Sequence, residues 1–499
     1  MSTTSIPANF LFKAFAKHAK EFPNKPAIID SNGQYTYNQL LHAIAAYTIY
    51  IREIAPKRTI IPFLAPSSFE YVVIFFSIMA ADCVVLPLCL THPNKEREYY
   101  VNDSEAKVLI ASPSLQNQAE ELSRMTDTKL VLFKVSSHPY KISSEAFDAN
   151  QISTIIYTSG TTSRPKGSLQ SYDSMKHGIS SLGSLWRISS SDSVYHVLPL
   201  HHGHGVNLAL LNPLVHGATV EFARFSPEEF YTRFSRDSIP SIFMAVPTIY
   251  IRLIKYSESH EINVDWSKVR LMTVGSASLP RPFKTKWREM TGQRLLERYG
   301  TTETGIILSA GYEQDKRPDG AVGWIVPGVQ IRLVGEGAPN QGEIEVRSKG
   351  LFQGYWKREQ ATKDAYTRDG WYKTGDVAII NPDGSYTLQG RASVDIIKSK
   401  AYKISALEIE REMLAFDYIN EVAVVGIEDE DEGQKIAAVV VSSDPNLTLE
   451  RLRFDLKKSM ASYKCPTVLK LVNEIPKNAM GKVNKKILVE NMFSHKAKL

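Results

Sequence analysis

The chain has 499 residues, 43% of them hydrophobic and 22% charged, which leaves room for about two to four ordinary globular domains. Its 59 basic and 53 acidic residues give a mild net charge of +6, without the arginine-rich, aromatic-interleaved surface that single-stranded nucleic acid needs. Three scattered cysteines exclude a disulfide framework, and the absence of an apolar run of about 18 residues argues against an integral membrane segment. We therefore expect a protein of a reducing compartment.

The N-terminal segment Phe10–Lys20 alternates apolar and basic residues in a helical pattern and lacks acidic residues. We interpret it as a first helix. The alternative is a mitochondrial transit peptide, which is disfavoured because the segment contains no arginine. A cytoplasmic location is therefore expected over the mitochondrial matrix.

The first half of the chain alternates short apolar strands with helices, which predicts βα units and a largely parallel sheet. The predicted strands are Pro26–Asp30, Thr59–Phe63, Val84–Pro87 and Lys107–Ala111, and the predicted helices include Tyr37–Glu53 and Ser67–Ala81. A further strand runs from Gln151 into a glycine-rich turn at Gly160. Another αβ series extends from Ser171 to Gly300.

After about Asp319 the pattern changes to antiparallel hairpins. Asp383-Gly384 between apolar runs is a strong hairpin signal. The predicted strands here are Val329–Gly335, Gly342–Arg347, Asp376–Ile380 and Tyr386–Gln389. A small αβ unit follows, with helices at Ala406–Ala415 and Leu449–Ser459 and strands at Glu421–Ile427 and Lys435–Ser442. We predict one domain over residues 1–390 and a second over residues 391–499.

The segment Ile155–Gly167 reads IIYTSGTTSRPKG, a buried strand that runs into a loop of hydroxyl residues and glycine. Backbone N–H groups turned toward one point form an anion nest, to which the hydroxyl groups and Lys166 add donors and positive charge. This chemistry suits a polyphosphate, although the loop is not a Walker motif. The alternative is an exposed turn that binds no ligand.

YTSGTTSRPKG resembles the phosphate-binding signature of the adenylate-forming superfamily, which includes acyl-CoA synthetases, peptide-synthetase adenylation domains and firefly luciferase. The resemblance continues in family order along nearly the whole chain. The further segments that carry it are Leu198–Gly205, Gly275–Ser278, Tyr299–Thr304, Gly342–Val346, Gly354–Trp356, Trp371–Asp376, Gly390–Arg391 and Ile475–Lys485.

The resemblance implies an α/β fold, with a large N-terminal domain of αβ-layered sheets, a small β-barrel-like part and a small mobile α+β C-terminal domain. It also implies an AMP-forming acid–thiol ligase that uses ATP, Mg²⁺ and coenzyme A. A carboxylate would attack the α-phosphate of ATP and expel pyrophosphate. A thiol would then attack the acyl-adenylate and expel AMP.

The same resemblance assigns the nucleotide site residue by residue. Asp376 and Arg391 would contact ribose, Tyr299 would stack on adenine or pack in the core, and Glu303 would hold Mg²⁺ with Thr158 beside it. The remaining expected ATP-binding residues are Ser159, Gly160, Thr161, Thr162, Lys166, Gly275, Ser276, Ala277, Gly300 and Thr301, with Thr302 as a catalytic neighbour of the metal.

The C-terminal lysine motif implies that Lys482 crosses to the α-phosphate and the attacking carboxylate, where a cation stabilises the transition state. Rotation about a hinge at Ser393 would then remove Lys482 for the second step. His202 would gate entry of the thiol, or else be an ordinary core histidine.

One departure from the family concerns the coenzyme A side, formed by Lys400, Ala401 and Lys403. Ala401 stands where relatives carry glycine along the pantetheine, and an alanine is strained if that position needs a positive φ. The alternative acceptor is therefore a carrier-protein thiol. A regulatory nucleotide-binding paralogue is a second alternative, which the intact Lys482, Glu303 and Asp376 argue against.

The segments Leu295–Gly300, Val246–Tyr250, Ser405–Glu410 and Ile475–Met480 most resemble malonyl-CoA synthetases, in which an arginine at the position of Arg298 is expected to hold the distal carboxylate. A fixed cation in an acyl pocket is costly unless a carboxylate pairs with it. His204, Arg252 and Thr248 are the other expected acyl-side residues. The alternatives are that Arg298 pairs with Glu297 or another protein acid, and that the acid is a monocarboxylate or an amino acid. The expected assembly is a monomer or homodimer.

Overall fold

A computed structural model describes residues 3–158, 164–277, 279–335, 340–399, 402–429, 431–477 and 482–493. The strands are β1 (Thr4–Ile6), β2 (Pro26–Asp30), β3 (Gly33–Thr36), β4 (Ile60–Leu64), β5 (Val84–Pro87), β6 (Val108–Ala111), β7 (Lys129–Leu132), β8 (Tyr140–Ile142), β9 (Ile152–Thr158), β10 (Lys166–Ser171), β11 (Ser193–His196), β12 (Thr219–Phe222), β13 (Ile242–Ala245), β14 (Leu271–Val274), β15 (Leu296–Thr301), β16 (Gly305–Ser309), β17 (Trp324–Ile325), β18 (Val329–Val334), β19 (Gln341–Ser348), β20 (Gly354–Tyr355), β21 (Tyr372–Ile380), β22 (Tyr386–Arg391), β23 (Ile396–Ser399), β24 (Tyr402–Ser405), β25 (Ile419–Asp429), β26 (Gly433–Ser442) and β27 (Val468–Leu471).

Helices alternate with these strands over most of the chain. They are α1 (Phe10–Glu21), α2 (Tyr37–Ile54), α3 (Phe69–Ala80), α4 (Asn94–Asp103), α5 (Gln116–Thr126), α6 (Tyr172–Leu185), α7 (Asn212–Val215), α8 (Pro227–Phe234), α9 (Pro247–Ser257), α10 (Arg281–Thr291), α11 (Glu359–Asp364), α12 (Ala406–Met413), α13 (Leu449–Leu456) and α14 (Lys485–Phe493). A π-helical segment covers His204–Leu211. Among the helices of the described ranges, none combines the length and apolarity needed to cross a bilayer.

Two large sheets form the layered core of the N-terminal region. One has the strand order β20-β10-β9-β5-β4-β6-β7, and the other has the order β17-β16-β15-β14-β13-β11-β12-β2-β3. Their central strands are parallel, as the alternating βα pattern predicts. Helix α3 is buried along its whole length between them, which explains why its sequence is apolar on every face. The predicted α/β class is confirmed.

The predicted hairpins after Asp319 form an antiparallel sheet with the order β18-β19-β21-β22. Asn381–Ser385 makes the turn between β21 and β22, as the Asp383-Gly384 signal predicts. The expected barrel-like closure is wrong for the described residues, in which this four-stranded sheet is open. Gly354-Tyr355 pairs with β10 instead of joining this sheet, so that Tyr355 lies beside the strand that begins at Lys166.

The C-terminal region contains a five-stranded sheet, β24-β23-β26-β25 with β27 paired to β26. Helix α12 packs its buried residues Ala406, Ile409 and Met413 into the core of this sheet. The predicted helices and strands of this region are confirmed within a few residues at their ends. The largest difference is the second predicted helix, which ends at Leu456 rather than at Ser459.

Candidate active site

Asp376, in the middle of β21, is held between two neighbouring side chains, Tyr299 on β15 and Arg391 at the end of β22. Its carboxylate accepts a hydrogen bond from the Tyr299 hydroxyl (2.6 Å) and another from Arg391 Nε (3.1 Å). Asp376 and Arg391 are cross-strand partners on β21 and β22, so the sheet register itself brings them together. Burial, followed by the charge of Asp376, raises the pKa of Tyr299. The site therefore presents a fixed carboxylate that accepts hydrogen bonds.

A second group of side chains gathers where β9 meets β10. Thr158 and Lys166 are paired at the end of this hairpin where residues 159–165 connect the two strands in sequence. The Lys166 ammonium stands 5.2 Å from the centre of the Tyr355 ring, and the Tyr355 hydroxyl donates to Glu303 Oε1 (2.9 Å). A cation and a carboxylate thus both lie next to Tyr355. The predicted residues Ser159, Gly160, Thr161 and Thr162 lie outside the described residues.

The turn between β15 and β16 holds the backbone of the Tyr299–Thr304 motif. Thr301 N–H donates to Thr304 Oγ1 (3.0 Å), and the Gln170 amide donates to the carbonyl of Thr302 (3.0 Å). Gly300 must be glycine here, because a Cβ atom would come within 1.9 Å of the Gly305 carbonyl oxygen. This tight turn fixes the direction in which Glu303 projects.

The loop after β14 is strained at Ser276, whose φ is +71°, a region that non-glycine residues seldom occupy. Ser276 Oγ lies 3.3 Å from His204 Nδ1, while Gly275 is buried and Ala277 is exposed. The loop therefore connects the predicted adenine side with the predicted acyl side. Nothing in the sequence of this loop indicates the strain.

Arg298 is a buried cation for which the described part of the chain offers no acidic partner. The residue is 6% exposed, and its Nε and Nη2 atoms are buried without a hydrogen-bond acceptor. Desolvation lowers its pKa to about 10, so the guanidinium remains charged at neutral pH. The alternative pairing with Glu297 is wrong, because that carboxylate binds Lys284 Nζ at 2.5 Å. Among the residues that the structure describes, no carboxylate pairs with Arg298, so the site holds a buried positive charge.

His204 lies beside this charge and is itself only 8% exposed, with Nε2 unpartnered. Burial, followed by the charge of Arg298, holds the pKa of His204 well below its usual value. Both predicted residues therefore belong to one buried polar region. A neutral imidazole and a guanidinium in this arrangement offer hydrogen-bond donors to an anion.

Arg252 and Thr248 are exposed on helix α9. The Arg252 guanidinium stacks over the Phe225 ring at 4.8 Å. In the described part of the chain, no contact joins either residue to Arg298.

The C-terminal Lys482 reaches the same region from the other end of the chain. Desolvation and the nearby charges of Arg391 and Arg298 lower its pKa, while Asp376 opposes them. Lys482 is also among the charges that lower the pKa of His202 to about 2, after burial and the adjacent His201. His202 and Lys482, almost 300 positions apart in the sequence, are thereby brought together.

The predicted hinge lies in a turn closed by Asp395. Asp395 N–H donates to the Arg391 carbonyl (2.7 Å), and Arg391 N–H donates back to Asp395 Oδ2 (2.9 Å). Lys485 then binds both Asp395 (2.6 Å) and Glu410 (2.7 Å). This buried ion network ties the turn that contains Ser393 to the start of α14.

The predicted coenzyme A side is only partly described. Lys403 is exposed on β24, opposite Lys398. Lys400 and Ala401, which follow β23 and precede β24 in the sequence, lie outside the described residues.

Sequence reasoning missed two functional candidates at this site. Tyr355 belongs to a segment that carried the family resemblance, and its glycine-tyrosine-tryptophan composition was the available signal. Lys485 stands three residues after Lys482, but no local pattern distinguishes it from a solvated lysine. Only the packing of α14 against the hinge reveals its two carboxylate partners.

Comparison with known proteins identifies the family. The pattern of the AMP-binding enzyme family matches residues 15–356, and that of the AMP-binding enzyme C-terminal domain matches residues 408–482. The chain belongs to the AMP-binding enzyme family. It is an AMP-forming acid–thiol ligase, as the ordered motifs predict.

Individual relatives in this family cover almost the whole chain. The mitochondrial malonate–CoA ligase ACSF3 of Xenopus laevis is 37% identical over 95% of this chain and 90% of its own length. A malonate–CoA ligase of Arabidopsis thaliana is 33% identical over 97% and 88%. The crystal structure of ATP-bound MatB from Rhodopseudomonas palustris superposes with a TM-score of 0.85 at 28% identity, covering 97% and 99% of the two chains.

Proposed function

We propose that this AMP-binding enzyme is a malonate–CoA ligase. It would join malonate to ATP, release pyrophosphate, and transfer the malonyl group from AMP to coenzyme A. The choice of malonate as the acid rests on Arg298, whose guanidinium is buried. Its Nε and Nη2 atoms have no hydrogen-bond acceptor among the described residues. The names of the Xenopus and Arabidopsis relatives point to the same acid.

Arg298 favours a dicarboxylate because its charge lacks a protein acceptor. A buried cation is costly in free energy until an acceptor replaces the water that it has lost. The carboxylate of malonate that does not react would supply that acceptor, with a charge-assisted hydrogen bond. A fatty acyl chain would leave the guanidinium unpaired, so the pocket selects against it.

The nucleotide would be held by groups that the fold fixes in advance. We assign Asp376 and Arg391 to ribose, Tyr299 to the adenine side, and the turn of Gly275, Ser276 and Ala277 to the opposite side of the base. The Asp376 carboxylate is already in contact with Tyr299 and Arg391, which supports a role as a fixed acceptor for hydroxyl groups.

The triphosphate would lie against the hairpin of β9 and β10. Lys166 supplies positive charge, and Thr158 and the loop after it supply donors. The Glu303 carboxylate projects toward the same place and suits Mg²⁺, which prefers one or two carboxylates together with phosphate oxygens. When bound, the ion neutralises negative charge on the phosphates.

Lys482 would act in the first half-reaction. Its electrostatic coupling to Arg298, Arg391 and Asp376 supports a position between the acyl and nucleotide sides. A lysine there would stabilise the charge that develops when the malonate carboxylate attacks the α-phosphate.

The second half-reaction would require movement of a C-terminal domain, residues 391–499, against the N-terminal domain, residues 1–390. The turn at Ser393 would be the hinge, and the region of Lys400, Ala401 and Lys403 would replace Lys482 at the site. His202 would line the approach of the thiol, and its lowered pKa keeps it neutral there.

A panel of acids tests the proposed substrate. ATP–pyrophosphate exchange with Mg²⁺ is measured for malonate, acetate, octanoate and β-alanine, with expected exchange strongest for malonate. Strong exchange with octanoate and none with malonate would overturn the assignment. Incubating the enzyme and malonate with either free coenzyme A or an acyl carrier protein identifies the acceptor, and malonyl-CoA is the expected product.

We propose a cytoplasmic location, because the segment Phe10–Lys20 folds as part of helix α1, whose Leu11, Phe12 and Phe15 are buried in the core. The Xenopus relative is named mitochondrial, so the mitochondrial matrix is the competing location. Subcellular fractionation of the tagged full-length protein distinguishes them, and co-sedimentation of the tag with a matrix marker would exclude the cytoplasmic assignment.

A further inference from the structure

A cluster of three metal-ligating side chains lies outside the groups assigned above. Among the described residues, Cys89, His92 and His201 are the group whose thiol sulfur and imidazole nitrogens all lie within 4.8 Å of one another. Cys89 is buried, whereas the two histidines are half-buried, so the cluster is reached from the protein surface. We propose that these three residues form a binding site for Zn²⁺, with a fourth position left for water or another ligand.

The side-chain chemistry fits this ion. Zn²⁺ is bound by thiolate and imidazole in tetrahedral sites, at about 2.3 Å from sulfur and about 2.0 Å from nitrogen. These bond lengths place ligand atoms roughly 3.3–3.5 Å apart, so an inward movement of about 1 Å would complete the geometry. Carboxylate-preferring ions such as Mg²⁺ are disfavoured by this set of donors.

Unsatisfied nitrogen atoms provide a second, independent observation. His201 Nε2 and His92 Nδ1 are both buried, and neither has a hydrogen-bond partner in the part of the chain that the structure describes. Glu96 Oε1 lies 3.3 Å from His92 Nδ1, at ion-pair distance but not in hydrogen-bond geometry. Among the described residues, no hydrogen bond to His92 Nδ1 would have to break for this atom to ligate the ion.

The backbone that carries these ligands is fixed by buried side chains. Arg97 is 2% exposed and donates to the carbonyls of Cys89 (2.9 Å) and Leu90 (2.6 Å). The Tyr71 hydroxyl donates to the carbonyl of Leu200 (2.6 Å), immediately before His201. The two loops are thus held in place without a metal, and binding would cost little reorganisation of the backbone.

The state of the thiol agrees with this geometry. Burial alone would raise the pKa of Cys89, but the neighbouring His201 and His92 imidazoles outweigh burial and lower the pKa to about 5. The thiolate is the form that ligates metal, and any remaining thiol proton would pass to solvent on binding.

Zn²⁺ titration of the full-length protein tests the site, with a chromophoric chelator as competitor after metal removal. We expect one equivalent of Zn²⁺ per chain in the wild type and in the Cys83→Ser control, which removes another buried cysteine of the N-terminal region. Cys89→Ser should lose roughly 100-fold or more in affinity, because it removes the thiolate ligand. Equal affinity in Cys89→Ser and wild type would overturn the proposal.

Co²⁺ provides a readout that does not depend on a folded variant. Added to the wild-type protein, it should produce a thiolate-to-cobalt charge-transfer absorption band that excess Zn²⁺ removes. Wild-type protein without this band would refute ligation by Cys89. Zn²⁺ should also raise the Tm of the wild type but not of His201→Gln. None of these measurements requires acyl activation, so they succeed or fail independently of the proposed malonate–CoA ligase activity.

Discussion

At the scale of single residues, Arg298 is a buried charge that belongs to the proposed acyl site although its burial destabilises the folded protein. Its guanidinium is buried and remains charged, while the neighbouring Glu297 is engaged by Lys284. An unsatisfied buried polar group costs roughly 1–3 kcal/mol, and a charged group costs more. Such a residue lowers the free energy of unfolding of the ligand-free protein, and only a bound anion would offset this loss.

Arg298→Met should therefore lower the activity with malonate without lowering the stability of the folded protein. We expect kcat/KM for malonate to fall roughly 100-fold, because a charge-assisted hydrogen bond is lost, while the Kd for ATP changes little. The free energy of unfolding should stay constant or rise by about 1–3 kcal/mol. Initial rates and urea unfolding measure the two effects. Arg288→Met, on the exposed face of α10, is the control, and unchanged malonate kinetics in Arg298→Met would contradict the assignment.

His196 gives a pH-dependent prediction at the same scale. Its Nε2 lies 2.9 Å from the Gly205 carbonyl oxygen, while Nδ1 is buried without a partner. Burial lowers its pKa to about 4, from an ordinary value near 6.5. Between these values the unfolded chain binds a proton that the folded protein does not, so the stability due to His196 is lost as the pH falls below about 6.5.

His196→Gln should consequently cost less stability at pH 5 than at pH 7. The difference should be about 1–2 kcal/mol, since one proton contributes roughly 1.4 kcal/mol per pH unit within the window. Urea unfolding of both proteins at several pH values measures it. If the difference in free energy of unfolding between wild type and variant does not change with pH, His196 has the same pKa in the folded and unfolded chains.

At the scale of elements, the end of strand β14 determines where the guanidinium on β15 can lie. The strands are parallel neighbours, with Val274 opposite Glu297, so Gly275 follows directly beside Arg298. A Cβ atom at Gly275 would lie 2.5 Å from Arg298 Cζ. The guanidinium thus packs on the glycine backbone, and its position is set by the absence of a side chain.

Gly275→Ala should displace Arg298 rather than unfold the sheet, because the obstructing atoms are the end of a long side chain. We expect KM for malonate to rise about tenfold, since a displacement on the order of 1 Å weakens a directed contact, with a small change in Tm. Steady-state kinetics and thermal unfolding measure both. Gly178→Ala, where a Cβ meets no atom within 4 Å, is the matched control. A large fall in Tm with unchanged KM would show that Gly275 serves the fold alone.

At the scale of the whole molecule, the turn after β22 connects the two regions that the site requires. The buried network of Lys485 with Asp395 and Glu410 joins this turn to α14, three residues after Lys482. A change in the turn therefore moves the segment that carries the lysine. Ser393 is exposed within the turn, and its side chain contributes no hydrogen bond among the described contacts.

Ser393→Pro should restrict movement of the turn and slow the second half-reaction. We expect release of pyrophosphate in a single turnover to be preserved, while formation of malonyl-CoA slows about tenfold or more, because proline fixes φ. Rapid-quench measurement of the two products separates the steps. Ser393→Ala should behave as the wild type. Equal slowing of both steps in Ser393→Pro would argue against a hinge at this position.

The order of elements was predictable because local patterns specify it. The boundaries of β2 and β5 agree exactly with the predicted strands, and α2 differs by one residue, since its capping box at Thr36 and Gln39 marks its start. The barrel-like expectation failed because closure of a sheet depends on pairing between distant strands. The pairing of Gly354-Tyr355 with β10, rather than with the hairpin block, is not visible in either local sequence.

The sequence by itself determined the family and the layered α/β class, and it named the candidate site residues, because ordered motifs and apolar periodicity are local properties. Tertiary structure alone decided which charges are paired. Among the described residues, it leaves Arg298 Nε and Nη2 without a hydrogen-bond acceptor and pairs Glu297 with Lys284. It also places Cys89 close to His92 and His201. Pairing and burial depend on chain segments far apart in sequence, and no local pattern records the distance between them.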